Sequence, residues 1–142
     1  MTTLQLRLCL TLLLLATCSG TDLRRQQVFL PVPAAGILTG LCLTAWCGDI
    51  TWLSGAGGIA AGVLLVLFGY VTKGAFGSGD GWVLAGCGSL LGIVRSMSLL
   101  LTASLLSLPV SAVLLLTHQK RKTDTVPFVP FLLAAFVWSL FF

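Results

Sequence analysis

The chain has no glutamate, and its four acidic residues are all aspartates: Asp22, Asp49, Asp80 and Asp124. It has a single histidine, His118, which cannot assemble a metal site alone. Its five cysteines, Cys9, Cys18, Cys42, Cys47 and Cys87, contain no C-x-x-C pair, so neither a zinc knuckle nor a dithiol redox motif is indicated. They fall in or beside apolar runs and read as small buried hydrophobes. No metal and no cofactor is expected. Charge is also scarce: 8% of residues are charged against 57% hydrophobic, and the mean hydropathy is +1.06. A water-soluble protein of 142 residues could not cover its surface with so few charges. The sequence therefore predicts an all-α, polytopic integral membrane protein whose first partner is the lipid bilayer. The net charge of +4 is modest, and orientation in a membrane explains it better than binding to nucleic acid.

What is present is a succession of apolar runs. The first covers residues 4–18 and carries Arg7 near its start. A secretory signal peptide has this outline, but everything downstream is apolar too, which favours a first transmembrane helix with Arg7 snorkelling outward. A polar segment holding Asp22, Arg24 and Arg25 follows. The second run, 28–46, has Pro31 and Pro33 at its beginning, where helices tolerate proline. The third, 52–71, carries five glycines (55, 57, 58, 62 and 69), as expected of an interior helix packed closely on its neighbours. From residue 82 to 116 the chain is too long for one span, and Arg95 is taken as the turn between a fourth and a fifth helix. A basic loop from His118 to Asp124 precedes the last run, 125–142. The expectation is six helices in one membrane-embedded domain over residues 1–142.

Charge orients them. Arg24, Arg25, Lys73, Lys120, Arg121 and Lys122 lie in loops that alternate to one side, against Arg7 and Arg95 on the other. The positive-inside rule puts the first group in the cytoplasm and both chain ends outside. Asp22, Asp80 and Asp124 then share the cytoplasmic side, with Asp49 across the bilayer.

The centre of the chain is Phe76-Gly77-Ser78-Gly79-Asp80. Gly77 and Gly79 permit a tight turn and close approach of another chain, and Asp80 follows at the mouth of an apolar helix. Asp80 reads as an N-cap of the helix beginning near Gly81, as a catalytic carboxylate, or as both. Asp22 closes the first helix on the same face. Two carboxyl groups brought together share a proton, leaving one to take a proton from water and the other to protonate a scissile amide. Asp124 is an alternative partner, but ion pairing in its basic loop explains it adequately.

Three stretches together resemble the type IV prepilin peptidases, membrane aspartic proteases of the G-x-G-D class. They are the segment from Asp22 to Val28, the motif Gly77-Ser78-Gly79-Asp80, and the proline-aromatic segment at residues 126–132. The resemblance implies cleavage of leader peptides from prepilins or pilin-like subunits on the cytoplasmic side of the plasma membrane, with Asp22 and Asp80 as the catalytic pair. Two departures stand out. Gly81-Trp82 follows Asp80 where the family commonly has valine and lysine, and Pro31-Val32-Pro33 lacks the usual asparagine. The short first polar loop leaves no room for the cysteine-bearing insert of larger members that also N-methylate their product. The chain therefore resembles compact, peptidase-only members. The alternatives are a catalytically weakened relative, a small membrane subunit of a pilus, secretion or transport system, and an unrelated helical protein whose aspartates serve ion passage.

Overall fold

A computed structural model describes residues 2–25, 30–72, 78–117 and 128–142. Among them the chain is helical, with six helices and no strand: α1 (Thr3–Arg25), α2 (Pro31–Cys47), α3 (Trp52–Val71), α4 (Ser78–Leu91), α5 (Ile93–Leu116) and α6 (Val129–Phe141). Three stretches are long and apolar enough to cross a membrane: Thr3–Arg24, Trp52–Val71 and Ile93–Leu116. The protein is an all-α membrane protein, as the composition demands. The basic loop, including His118 and Asp124, lies outside the described residues, as does Gly77.

The helix boundaries follow local chemistry. Helix α2 starts with Pro31, whose missing N–H is no loss at a first position. It stops at Gly48, which takes the left-handed conformation (φ 64°) and returns its N–H to the Thr44 carbonyl. The break between α4 and α5 falls at Gly92 rather than at Arg95. Gly92 has φ 82°, a conformation glycine adopts without strain, and the Oγ of Ser54 accepts the Ile93 N–H at 3.3 Å. Arg95 sits three residues beyond Gly92, within the first turn of α5 and exposed.

Helix α4 is the axis of the bundle, with an unbroken buried run from Val83 to Leu90. Apolar burial gives little drive between helices in lipid, so close approach and polar contacts decide the packing. Glycines on α3 supply the approach, as the sequence predicts for an interior helix. A Cβ on Gly58 would lie 2.5 Å from the Gly88 carbonyl oxygen, and one on Gly62 would lie 2.5 Å from the Ala85 Cα. Helices α1, α5 and α6 close the other side around Leu15, Cys18, Val83, Cys87, Leu99, Ala103, Leu132 and Phe136. The outward faces carry Leu64 and Leu67 on α3 and Leu101, Leu105 and Leu108 on α5, suited to hydrocarbon.

Arg7 corrects the sequence reading. It does not snorkel: it is 1% exposed and turned into the bundle. Its Nη2 and Nε donate to the two carboxylate oxygens of Asp49 at 2.7 and 3.2 Å, and Nη1 donates to the Leu90 carbonyl at 3.1 Å. An arginine held in a bidentate fork and a third bond is satisfied inside the protein, and reaching for water would gain nothing.

Candidate active site

Arg7 fixes the polarity of the bundle. It sits near the start of α1 and bonds Leu90 near the end of α4, so these two helices run antiparallel. The end of α1 and the start of α4 therefore meet at the opposite end of the bundle, about 22 Å away at 1.5 Å per residue. Asp22 is in the last turn of α1 and Asp80 in the first turn of α4. The two are close enough for the charge of Asp22 to act on Asp80. Asp49 belongs to the other end, beside Arg7.

The two carboxylates have unlike surroundings. Asp22 is 6% exposed, and its Oδ2 is buried without a hydrogen-bond partner among the described residues. Val129, the first residue of α6, is fully buried near the same carboxylate. Asp80 is half-buried and lies in the first turn of its own helix, where free N–H groups and the helix dipole favour negative charge. That helix begins at Ser78 instead of near Gly81, so Asp80 is an early helical residue and not the residue preceding the helix. Gly79 is likewise helical, since the positive-φ glycines among the described residues are Gly48 and Gly92. A tight turn at Gly79 is therefore not how α4 begins.

Gly81 has a clear packing role. A Cβ there would stand 2.5 Å from Val66 Cγ2, 2.8 Å from the Val66 nitrogen and 2.9 Å from the Gly62 carbonyl oxygen. Two of those three atoms are backbone and cannot swing aside. Helix α3 thus presses on α4 one residue after Asp80, and the absence of a valine at this position follows from that contact.

Beneath the carboxylates the floor is apolar. Cys18, one turn before Asp22 on α1, and Cys87 on α4 are both buried and belong to the same apolar cluster as Val83 and Val129. The expectation of buried cysteines holds for these two, whereas Cys9, Cys42 and Cys47 are exposed. Among the described residues no group of three or more His, Cys, Asp or Glu side chains could hold a metal.

The site can exchange protons at a carboxylate pair set over an apolar floor. The sequence singled out both aspartates as candidates; it missed the Arg7–Asp49 clamp at the other end of the bundle. For the clamp a signal existed, because charge alternation places a lone Arg7 and an otherwise unpaired Asp49 at the same end.

Residues 9–112 match the sequence model of the type IV leader peptidase family. The match takes in Asp22, Asp49 and Asp80 and ends before α6. Among curated proteins and solved structures, nothing matches the chain.

Proposed function

Because the chain belongs to the type IV leader peptidase family, we propose that it is a membrane aspartic endopeptidase that removes the leader of type IV prepilins or pilin-like proteins with an Asp22–Asp80 dyad. The observation that supports the dyad is the meeting of these two carboxylates at one end of the bundle, where the charge of Asp22 acts on Asp80. Neighbouring carboxylates over an apolar floor hold one proton between them more readily than two negative charges. The ionised member takes a proton from a water molecule, whose oxygen adds to the scissile carbonyl. The protonated member gives its proton to the departing amide nitrogen, and the pair is restored when the proton is shared again.

The whole chain acts as one membrane-embedded peptidase domain in the plasma membrane, multi-pass, with the dyad facing the cytoplasm. Six of its eight basic residues flank that side by the positive-inside rule. Gly79 supports Asp80 as part of the α4 first turn, and Gly77 precedes it. The product carries an unmodified N-terminus, because the first polar loop is short.

The test is co-expression with a pilin-like precursor, scored for loss of the leader, with Asp22→Asn and Asp80→Asn beside the parent. Cleavage by the parent and by neither variant is expected. A parent that leaves every such precursor intact while folding normally would favour the alternative of a catalytically weakened relative or a membrane subunit of an assembly system.

A further inference from the structure

At the end of the bundle held by Arg7, helices α1, α4, α5 and α6 leave a groove of about 350 Å³ between them. Its bottom is made by Leu99 and Phe136, which are buried, and its rim by Leu4 and Leu140, which are exposed. Three polar side chains interrupt this lining, and two of them are already engaged. The Ser98 hydroxyl donates to the Arg95 carbonyl at 2.9 Å, and the Ser139 hydroxyl donates to the Phe136 carbonyl at 2.7 Å. The third is Arg95. It is exposed, and among the described residues no carboxylate pairs with its guanidinium. No acidic side chain lines the groove, and Asp49, the carboxylate at this end, is held by Arg7.

Three of the chain's four tryptophans show how deep the groove lies. Trp46, in the last turn of α2, and Trp52, the first residue of α3, stand on either side of Asp49. Trp138 adjoins Ser139 in the last turn of α6. All three are exposed. Exposed tryptophan collects where hydrocarbon meets headgroups, because its ring is apolar and its N–H needs a polar partner. Arg95, in the first turn of α5, is therefore at headgroup level. Moving inward by one turn, Leu99 follows Arg95 on α5, Leu8 follows Leu4 on α1, and Phe136 precedes Leu140 on α6. The groove thus runs from a free cation at the interface to an apolar floor within the hydrocarbon.

We propose that this groove binds an anionic phospholipid, with the headgroup phosphate on Arg95 and an acyl chain lying along Leu8, Leu99 and Phe136. Charge complementarity selects that occupant. A guanidinium is always ionised and presents its N–H donors in a fixed fork that matches phosphate. A zwitterionic phospholipid brings its own cation to compete for the phosphate, whereas an anionic one leaves its net charge to Arg95. An apolar polypeptide segment would cover the floor but offer Arg95 no anion. The site lies at the opposite end of the bundle from Asp22 and Asp80, so it stands apart from the peptidase reading.

The experiment takes the full chain in a neutral detergent and titrates it with phosphatidylglycerol or phosphatidylcholine of matched acyl chains, counting retained lipid by native mass spectrometry. The parent should hold phosphatidylglycerol at one site about fivefold more tightly than phosphatidylcholine, or better, as expected for one arginine facing an anionic lipid. Arg95→Gln should abolish the preference, and Arg95→Lys should keep part of it. Arg24→Gln, which removes an exposed arginine at the other end of the bundle, should leave the preference at the parental value. Ser98→Phe, which fills the groove from its rim, should weaken both lipids. A parent without preference, or a preference that survives Arg95→Gln, would overturn the proposal. Equal losses in Arg24→Gln and Arg95→Gln would overturn it as well, since net charge alone would then attract the lipid. So would a dimer that forms without lipid and is lost in Ser98→Phe, because the groove would then belong to a second copy of the chain.

Discussion

Arg7 and Asp49, 42 residues apart in sequence, are joined by two hydrogen bonds that seat a buried guanidinium at the far end of the bundle from Asp22 and Asp80. Thr44 and the Leu90 carbonyl complete the coordination, at 3.5 and 3.1 Å from Nη1. One side chain thereby ties α1 to α2, to the loop before α3 and to α4. Removing the carboxylate strands the buried guanidinium. Asp49→Asn is therefore expected to destabilise the fold by about 3–5 kcal/mol, and Arg7→Leu together with Asp49→Asn to cost less than the sum of the single changes. Thermal or denaturant unfolding in detergent, arranged as a double-mutant cycle, measures this. Strict additivity would show that the pair is not coupled.

The same contact predicts an acid limit. Partial burial of Asp49 opposes its charge, but the hydrogen bonds from Arg7 and Thr3 and the charge of Arg7 outweigh it and hold the carboxyl below the usual range. A carboxyl depressed in the folded state stabilises the fold above its unfolded value, near 4, and that stabilisation is lost as pH falls through the lower, folded value. Unfolding followed from pH 6 downward should therefore show the parent losing stability in the strongly acidic range, and Asp49→Asn starting lower but losing less over it. Parallel curves for the two proteins would refute the assignment.

Helix count and helix order were legible, and Asp22 and Asp80 stood out as candidates, because apolar runs and scarce charge carry most of the information in a membrane chain. Three features were not. The turn at Gly92 was hidden behind Arg95, because a charge in an apolar run is a louder signal than one glycine among many. Arg7 was read as an isolated charge, since a partner 42 residues away cannot be seen by spacing. The start of α4 was placed late, because Gly77-Ser78-Gly79 has turn composition, yet the last two of these are helical.

Gly81 gives a packing prediction. Glycine inside a helix is about 1 kcal/mol worse than alanine, so Gly81→Val would help α4 in isolation. Here the added atoms meet the Val66 nitrogen and the Gly62 carbonyl oxygen, which are fixed main chain. The steric cost exceeds the helix gain, and Gly81→Val should lose about 1–3 kcal/mol, with Val66→Ala restoring only part by clearing Cγ2. Unfolding measurements on the single and double variants check both statements. A stabilised Gly81→Val would mean that α3 and α4 are further apart than described.

The four aspartates should separate by measurement into catalytic and structural members. Asp22→Asn and Asp80→Asn keep the size of the side chain and remove its charge and its exchangeable proton. At Asp22 the change also removes a charge from a buried site with an unpartnered oxygen, so the fold should be as stable as the parent or slightly more so. Each of these variants should lose cleavage by about 10⁴-fold or more, because a pair that works by passing one proton fails when either half is gone. Asp49→Asn should show the reverse: unfolding at a lower temperature, but a parental rate per folded molecule, since its contacts lie at the end of the bundle occupied by Arg7. Asp124, outside the described residues, reads in the sequence as one acid in a basic segment and is expected to change little in either assay, because surface ion pairs contribute about 1 kcal/mol or less. Two assays on four variants decide the matter: cleavage of a pilin-like precursor, and melting in detergent. If Asp49→Asn were folded but inactive while Asp22→Asn cleaved normally, the first carboxylate of the pair would have to be reassigned across the bundle.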